Sequence, residues 1–324
     1  MLDHISCASD WELEAVKRIT EQDEQVYYST DVTYKHSKDM VKFVFSVFDV
    51  DIGLTDKVFE CWITETNFES QAQCFEDFLN HNPVLYDRNG TLNFGGFCMD
   101  FDLGESKGFE LAWGRLWSRL NESRNQQAVG QCKKDDKRCI KIAKKYEIVP
   151  KYVKGDLFHF AQSVRRFLVK AGWLPETHRK QFKQATNDLL TGTATEFSRA
   201  VSLLTSWGLS RVTHWVEWWT RGDTPKKIFK SQMHPTLLEK NPPNASLSEP
   251  INSAEHRCAT GVYLPIAKAI FNSLQYTNFH QRLHESIKNG TTTPKKRRSR
   301  RKSNAHRKSS KSPNVPPDKE SRGR

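Results

Sequence analysis

The sequence predicts an all-α fold built as two helical sets in tandem, and three observations carry that expectation. Cys139, Ile142, Ala143 and Tyr146 recur at i, i+3, i+4 and i+7, the spacing of a buried helical stripe. Similar stripes return along most of the chain with short links between them. Strand signals do not alternate with these stripes, which argues against a βαβ arrangement.

Taken in order, residues 1–38 read as an N-terminal flank. Met40, Val41, Val44, Phe45, Val47 and Phe48 lie nearly all around a helical wheel, as a central buried helix requires. Thr55 is placed to cap a second helix whose face is Val58, Phe59, Trp62 and Ile63. Residues from about 68 to 135 form an insertion punctuated by Asn89-Gly90, Gly95-Gly96 and Gly104, in which 92–94 and 97–101 read as a short hairpin and 109–120 as a helix. The Cys139 helix stops before Pro150. Asp156 opens the next, with Leu157, Phe160, Ala161, Val164 and Leu168 as its stripe, and a weaker helix covers 176–190. The first unit therefore spans 39–192. The second, 193–290, opens on the capping-box spacing of Thr193 and Glu196 and continues through Val212, Trp215, Val216 and Trp219. A Pro- and Asn-rich loop over 223–253 separates these from a last helix, where Pro265 is tolerable only in the first turn. Phe45, Ile142 and Phe160 are expected in one core.

The net charge of +12 suggests a nucleic-acid binder, but it is unevenly placed. From Pro294 to Arg324 there are 13 Lys and Arg against 2 Asp and Glu, leaving 37 against 36 over residues 1–293. The body is nearly neutral and the tail, 291–324, is basic and too poor in apolar residues to offset its ordering entropy. Its cluster Lys295, Lys296, Arg297, Arg298, Arg300, Arg301 and Lys302 reads as a nuclear-import signal, which places the chain in the nucleus. Seven cysteines without a Cys-x-x-Cys pair exclude a zinc motif or disulfide framework on sequence grounds. The opening residues lack a basic start followed by an apolar run, and no stretch of 18 apolar residues occurs, so a soluble intracellular protein with no membrane partner is expected.

Candidate chemistry is sparse. Asp49 and Asp51, and again Asp100 and Asp102, place carboxylates two apart, which in a loop could hold a divalent cation. A helix end and a turn-rich insertion account for them equally well. His256 and Cys258 have no third group placed to orient the imidazole, and no phosphate-binding glycine loop occurs. The reading is therefore of a non-enzymatic chain with no cofactor and no metal. Trp215, Trp218 and Trp219, near Arg211 and Arg221, could stack on bases; Trp215 and Trp219 share the face of Val212 and Val216, leaving Trp218 as the exposed ring. Thr224 and Thr293 precede Pro-Lys-Lys and Ser312 precedes Pro313, the patterns of proline-directed phosphorylation.

Ala143-Lys144-Lys145-Tyr146-Glu147 resembles the close of the third cyclin-box helix. The segments 39–48, 164–173 and 194–208 extend the likeness, so that about residues 12–287, with gaps, resemble the meiotic cyclin N-terminal domain-containing family. That resemblance implies tandem cyclin-like bundles and a regulator of crossover formation at recombination sites on meiotic chromosomes. It further implies a cyclin-dependent kinase as partner, met through Lys145 and Glu147, with meiotic recombination proteins as further partners and DNA association indirect. Asp39 and Val44 stand where cell-cycle cyclins pair an Arg with an Asp, and Gln181 stands where they carry a kinase-contacting Glu. These departures keep open a kinase-independent scaffold or DNA-associated adaptor on the same fold.

Overall fold

A computed structural model describes residues 3–23, 25–34, 36–101, 103–122, 135–170, 174–239 and 263–292. It overturns the all-α expectation. Six strands form one mixed sheet: β1 (His4–Cys7), β2 (Tyr27–Thr33), β3 (Val41–Asp49), β4 (Leu54–Ile63), β5 (Gly96–Met99) and β6 (Val153–Gly155), in spatial order β1-β4-β3-β2-β5-β6. Strands β2, β3 and β4 make an antiparallel meander and β1 adds antiparallel to β4, whereas β5 runs parallel to β2 and β6 parallel to β5.

The physical reason for the correction lies in β3. Phe43, Phe45 and Val47 point into one aromatic core, while Lys42, Val44 and Ser46 are buried against the other side of the sheet. A strand covered on both faces is apolar all around a helical wheel, so periodicity alone cannot separate it from a buried helix. The richness in β-branched and aromatic residues favoured the strand. The same holds for β4, read from sequence as a capped helix. Residues 1–38, expected as a flank, supply β1, helix α1 (Asp10–Gln22) and β2 to the sheet.

The expected hairpin at 92–101 is also absent. Gly95 and Gly96 instead allow β5 to be laid between two neighbours: a Cβ on Gly95 would fall 2.4 Å from the Gln25 carbonyl oxygen, and one on Gly96 (φ 141°) 2.2 Å from that of Tyr152. The described part of the expected insertion at 68–135 thus belongs to the sheet unit, contributing α2 (Phe68–His81), β5 and α3 (Leu103–Glu122). Helices α1, α2, α3 and α4 (Asp136–Lys145) cover one face, where Phe45 stacks on Phe78 with centroids 4.3 Å apart. Short α5 (Ile148–Tyr152) leads into β6.

Beyond β6 the chain is helical: α6 (Leu157–Lys170), α7 (Glu176–Thr191), α8 (Ala194–Ser206), α9 (Ser210–Thr220), α10 (Thr224–Ile228) and α11 (Pro235–Glu239). Thr193 and Glu196 form the reciprocal capping box at the start of α8. Helices α6 to α10 share a second core that includes Phe160, Phe182, Leu189, Leu204, Val216 and Trp219, so α7 and α8 pack together across residue 193. Phe160 belongs here and not with Phe45 and Ile142, which lie in or against the first core. The last helix, α12 (Ile266–Lys288), returns to the sheet face opposite α2 and α3 and is fastened by buried polar contacts. Among the described residues no helix is long and apolar enough to cross a membrane.

Candidate functional site

Strands β2, β5 and β6 are parallel, and their carboxyl ends point the same way. The chain leaves β2 toward β3 and β4 on one side and returns on the other side as β5, so the crevice between β2 and β5 is a topological switch point, where open α/β sheets bind ligands. Each of the three strands delivers an aspartate there. Ser29 pairs with Cys98 and Met99 with Gly155; the same register carried onward sets Asp31, Asp100 and Asp156 level with one another.

Asp156 is buried, and its Oδ1 accepts the Phe158 backbone N–H at 2.8 Å, capping α6. One turn later His159 contacts Asp100 through Nδ1, which also stands 3.9 Å from Asp156 Oδ2. Asp100, Asp156 and His159 offer ligand atoms all within 4.8 Å of one another. The His159 pKa is raised, chiefly by its hydrogen bond to Asp100; burial opposes this, and the negative charges of Asp100, Asp156 and Asp31 add to it. A cluster of carboxylates that stabilises a cation in this way can equally hold a divalent metal ion.

The cluster opens onto a cavity of about 990 Å³ walled by α6 and α9. Its far wall is basic and aromatic: Arg166 from α6, and Arg211, His214, Trp218 and Arg221 around α9. Ser163 fixes that wall by accepting hydrogen bonds from Trp215 Nε1 at 2.8 Å and Trp219 Nε1 at 3.2 Å. Phe101 packs edge-on against Trp219, tying the end of β5 to α9. Trp218 remains 37% exposed with the Arg221 guanidinium 5.3 Å from its ring centre, so the ring read from sequence as the exposed one is so in the structure.

The other sequence candidates fall elsewhere. Lys145 is exposed at the end of α4, and Glu147, at φ 54°, pairs with Lys151 at 3.5 Å and His234 at 3.7 Å. Thr224 is buried in the first turn of α10, which closes it to a kinase in the folded state. Asp49 is structural: its Oδ1 accepts the backbone N–H groups of Asp51 and Ile52, and Arg18 pairs with Oδ2 at 2.6 Å. Asp102, His256, Cys258, Thr293, Ser312 and the cluster Lys295 to Lys302 lie outside the described residues.

Sequence reasoning named Asp156 only as the opener of a helix and passed over Asp31 and His159. A signal existed: Tyr27-Tyr28-Ser29-Thr30, Gly96-Phe97-Cys98-Met99 and Val153-Lys154-Gly155 are short runs that each end on an aspartate. None of the protein-family models, curated proteins or solved structures compared with the chain matches it.

Proposed function

We propose that the chain is a divalent-cation-dependent enzyme that cleaves or transfers phosphodiesters of nucleic acid. The observation that carries this reading is the level placement of Asp31, two residues before the end of β2, with Asp100 and Asp156, which directly follow the parallel strands β5 and β6, beside a basic and aromatic wall. Carboxylates gathered at a switch point suit Mg²⁺ or Mn²⁺, which polarises a phosphoryl oxygen and lowers the pKa of a bound water. Asp31 and Asp100 are the partly accessible ligands, with Asp156 behind them as cap and ligand. Arg166, Arg211 and Arg221 supply the charge that a polyanion needs, and Trp218 a face for a base. The local charge of the cavity matters here more than the near-neutral total of the body.

The kinase-regulator reading has lost the two helical bundles on which Lys145 was to be presented. The alternative of a DNA-associated adaptor shares the basic wall with the enzyme reading and is separable from it by assay. Purified full-length chain is incubated with end-labelled single- and double-stranded DNA and RNA in Mg²⁺, Mn²⁺ or chelator. The enzyme reading expects cation-dependent cleavage or strand transfer that D31N and D100N reduce at least about a hundredfold while binding persists. Binding without cation-dependent chemistry on any substrate would favour the adaptor.

A further inference from the structure

Among the described residues a separate polar cluster lies on the other face of the sheet, under α12. His280 and His284 are one helical turn apart and project from the same face of that helix. Asp56, near the start of β4 and 228 residues from His284, meets them: His284 Nε2 is 2.7 Å and His280 Nδ1 3.3 Å from Asp56 Oδ1. All three residues are buried, Asp56 completely, and their ligand atoms lie within 4.8 Å of one another.

Two of those atoms are left over. Asp56 Oδ2 and His280 Nδ1 are shut off from solvent and make no hydrogen bond, the imidazole being close to the carboxylate without being aligned to it. Buried polar atoms are seldom left so, and two of them within one three-residue cluster call for a shared partner. We infer that Asp56, His280 and His284 form a structural site for a borderline transition-metal ion, Zn²⁺ or a close relative, that pins α12 to the sheet.

The distances fit such an ion. Ligand atoms at 2.0 to 2.1 Å around tetrahedral Zn²⁺ are about 3.3 Å apart. The His280 to Asp56 separation already has that value, and the shorter His284 contact needs to open by roughly 0.6 Å. With three protein ligands, a water molecule completes the tetrahedron. Two imidazoles favour Zn²⁺, Co²⁺ or Ni²⁺ over Mg²⁺ or Ca²⁺. The Trp11 ring, edge-on to His284 at 5.3 Å, and Tyr276, stacked on His280 at 5.5 Å, hold the imidazoles in place. This site shares no residue with the aspartate trio, so either can fail without the other.

Co²⁺ is titrated into chelator-stripped full-length protein while visible absorption is followed, and thermal melting is then recorded with and without Zn²⁺. Wild type and D100N should each show the intense bands of one tetrahedral Co²⁺, any Co²⁺ at the oxygen-rich aspartates adding only weak bands, and Zn²⁺ should abolish the intense bands and raise the melting temperature. D56N and H280Q should lose the bands and weaken Zn²⁺ binding at least about tenfold. H280Q removes an atom that makes no hydrogen bond, so the variant is expected to stay folded, which its thermal melt without Zn²⁺ checks. Absence of the bands in wild type, or their persistence in D56N and H280Q, would overturn the inference.

Discussion

Trp215 Nε1 donates to Ser163 Oγ at 2.8 Å, so a tryptophan on α9 is fixed by a serine on α6 across the wall of the candidate site. Because Trp219 donates to the same oxygen at 3.2 Å, one hydroxyl sets two indole rings and thereby the position of the intervening Trp218. W218A should weaken nucleic-acid binding by about 1–3 kcal/mol through lost stacking. S163A should weaken it less and destabilise the fold by about 1–3 kcal/mol, because both indole N–H groups lose their acceptor. Fluorescence titration with short oligonucleotides, paired with thermal melts, reads both effects. Equal binding by W218A and wild type would remove the stacking role.

Glu60 is the buried hub of the sheet face under α12. Lys42 and Lys57 each place Nζ 2.9 Å from Glu60 Oε2, and Ser273 donates to the same oxygen at 2.5 Å. Burial pushes the Glu60 carboxyl up, but the two ammonium groups outweigh it and hold the group far below the usual carboxylate range. E60Q removes the charge that both lysines share and should cost about 3–5 kcal/mol in urea unfolding. A loss below about 1 kcal/mol would show that water or other groups neutralise the lysines.

The His4–Asp77 pair, 2.7 Å apart, ties β1 to α2 and gives stability a pH signature. The hydrogen bond to Asp77, followed by that to Cys74, raises the His4 pKa to about 9 against the opposing effect of burial. A folded-state pKa above the unfolded value near 6.5 means that the contribution is full below about pH 6.5 and fades as pH climbs through about 9. Its size is on the order of 1–2 kcal/mol once solvent screening is allowed for. H4Q should therefore melt lower than wild type at pH 6, with the gap closing toward pH 10. A gap independent of pH would mean that packing, not charge, carries the contact.

The helical half was legible because its signals were local. The capping box of Thr193 and Glu196 and the Val212, Val216, Trp219 face need only neighbouring residues, and the exposed ring at Trp218 followed from them. The sheet was not legible, since Lys42 to Val47 and Asp56 to Ile63 are buried from both sides and lack the alternation that marks a half-exposed strand. Missing the sheet hid the site as well. Asp100 was noticed only beside Asp102, two residues away, whereas its structural neighbours are Asp31 and Asp156, 69 residues before it and 56 after it, brought level by strand register. Proximity of that kind is a property of topology and leaves no spacing rule in the sequence.

Asp31 in β2 and the aspartates that follow β5 and β6 are assigned a divalent cation, and Mn²⁺ binding followed by electron paramagnetic resonance decides that assignment. The wild-type chain should bind Mn²⁺, with Mg²⁺ competing for the same site, and H280Q should bind it equally well. D31N and D100N should each weaken that binding at least about tenfold while melting near the wild-type temperature, since both side chains are partly accessible. Folded D31N and D100N that bind Mn²⁺ as tightly as wild type would show that these aspartates do not hold the cation.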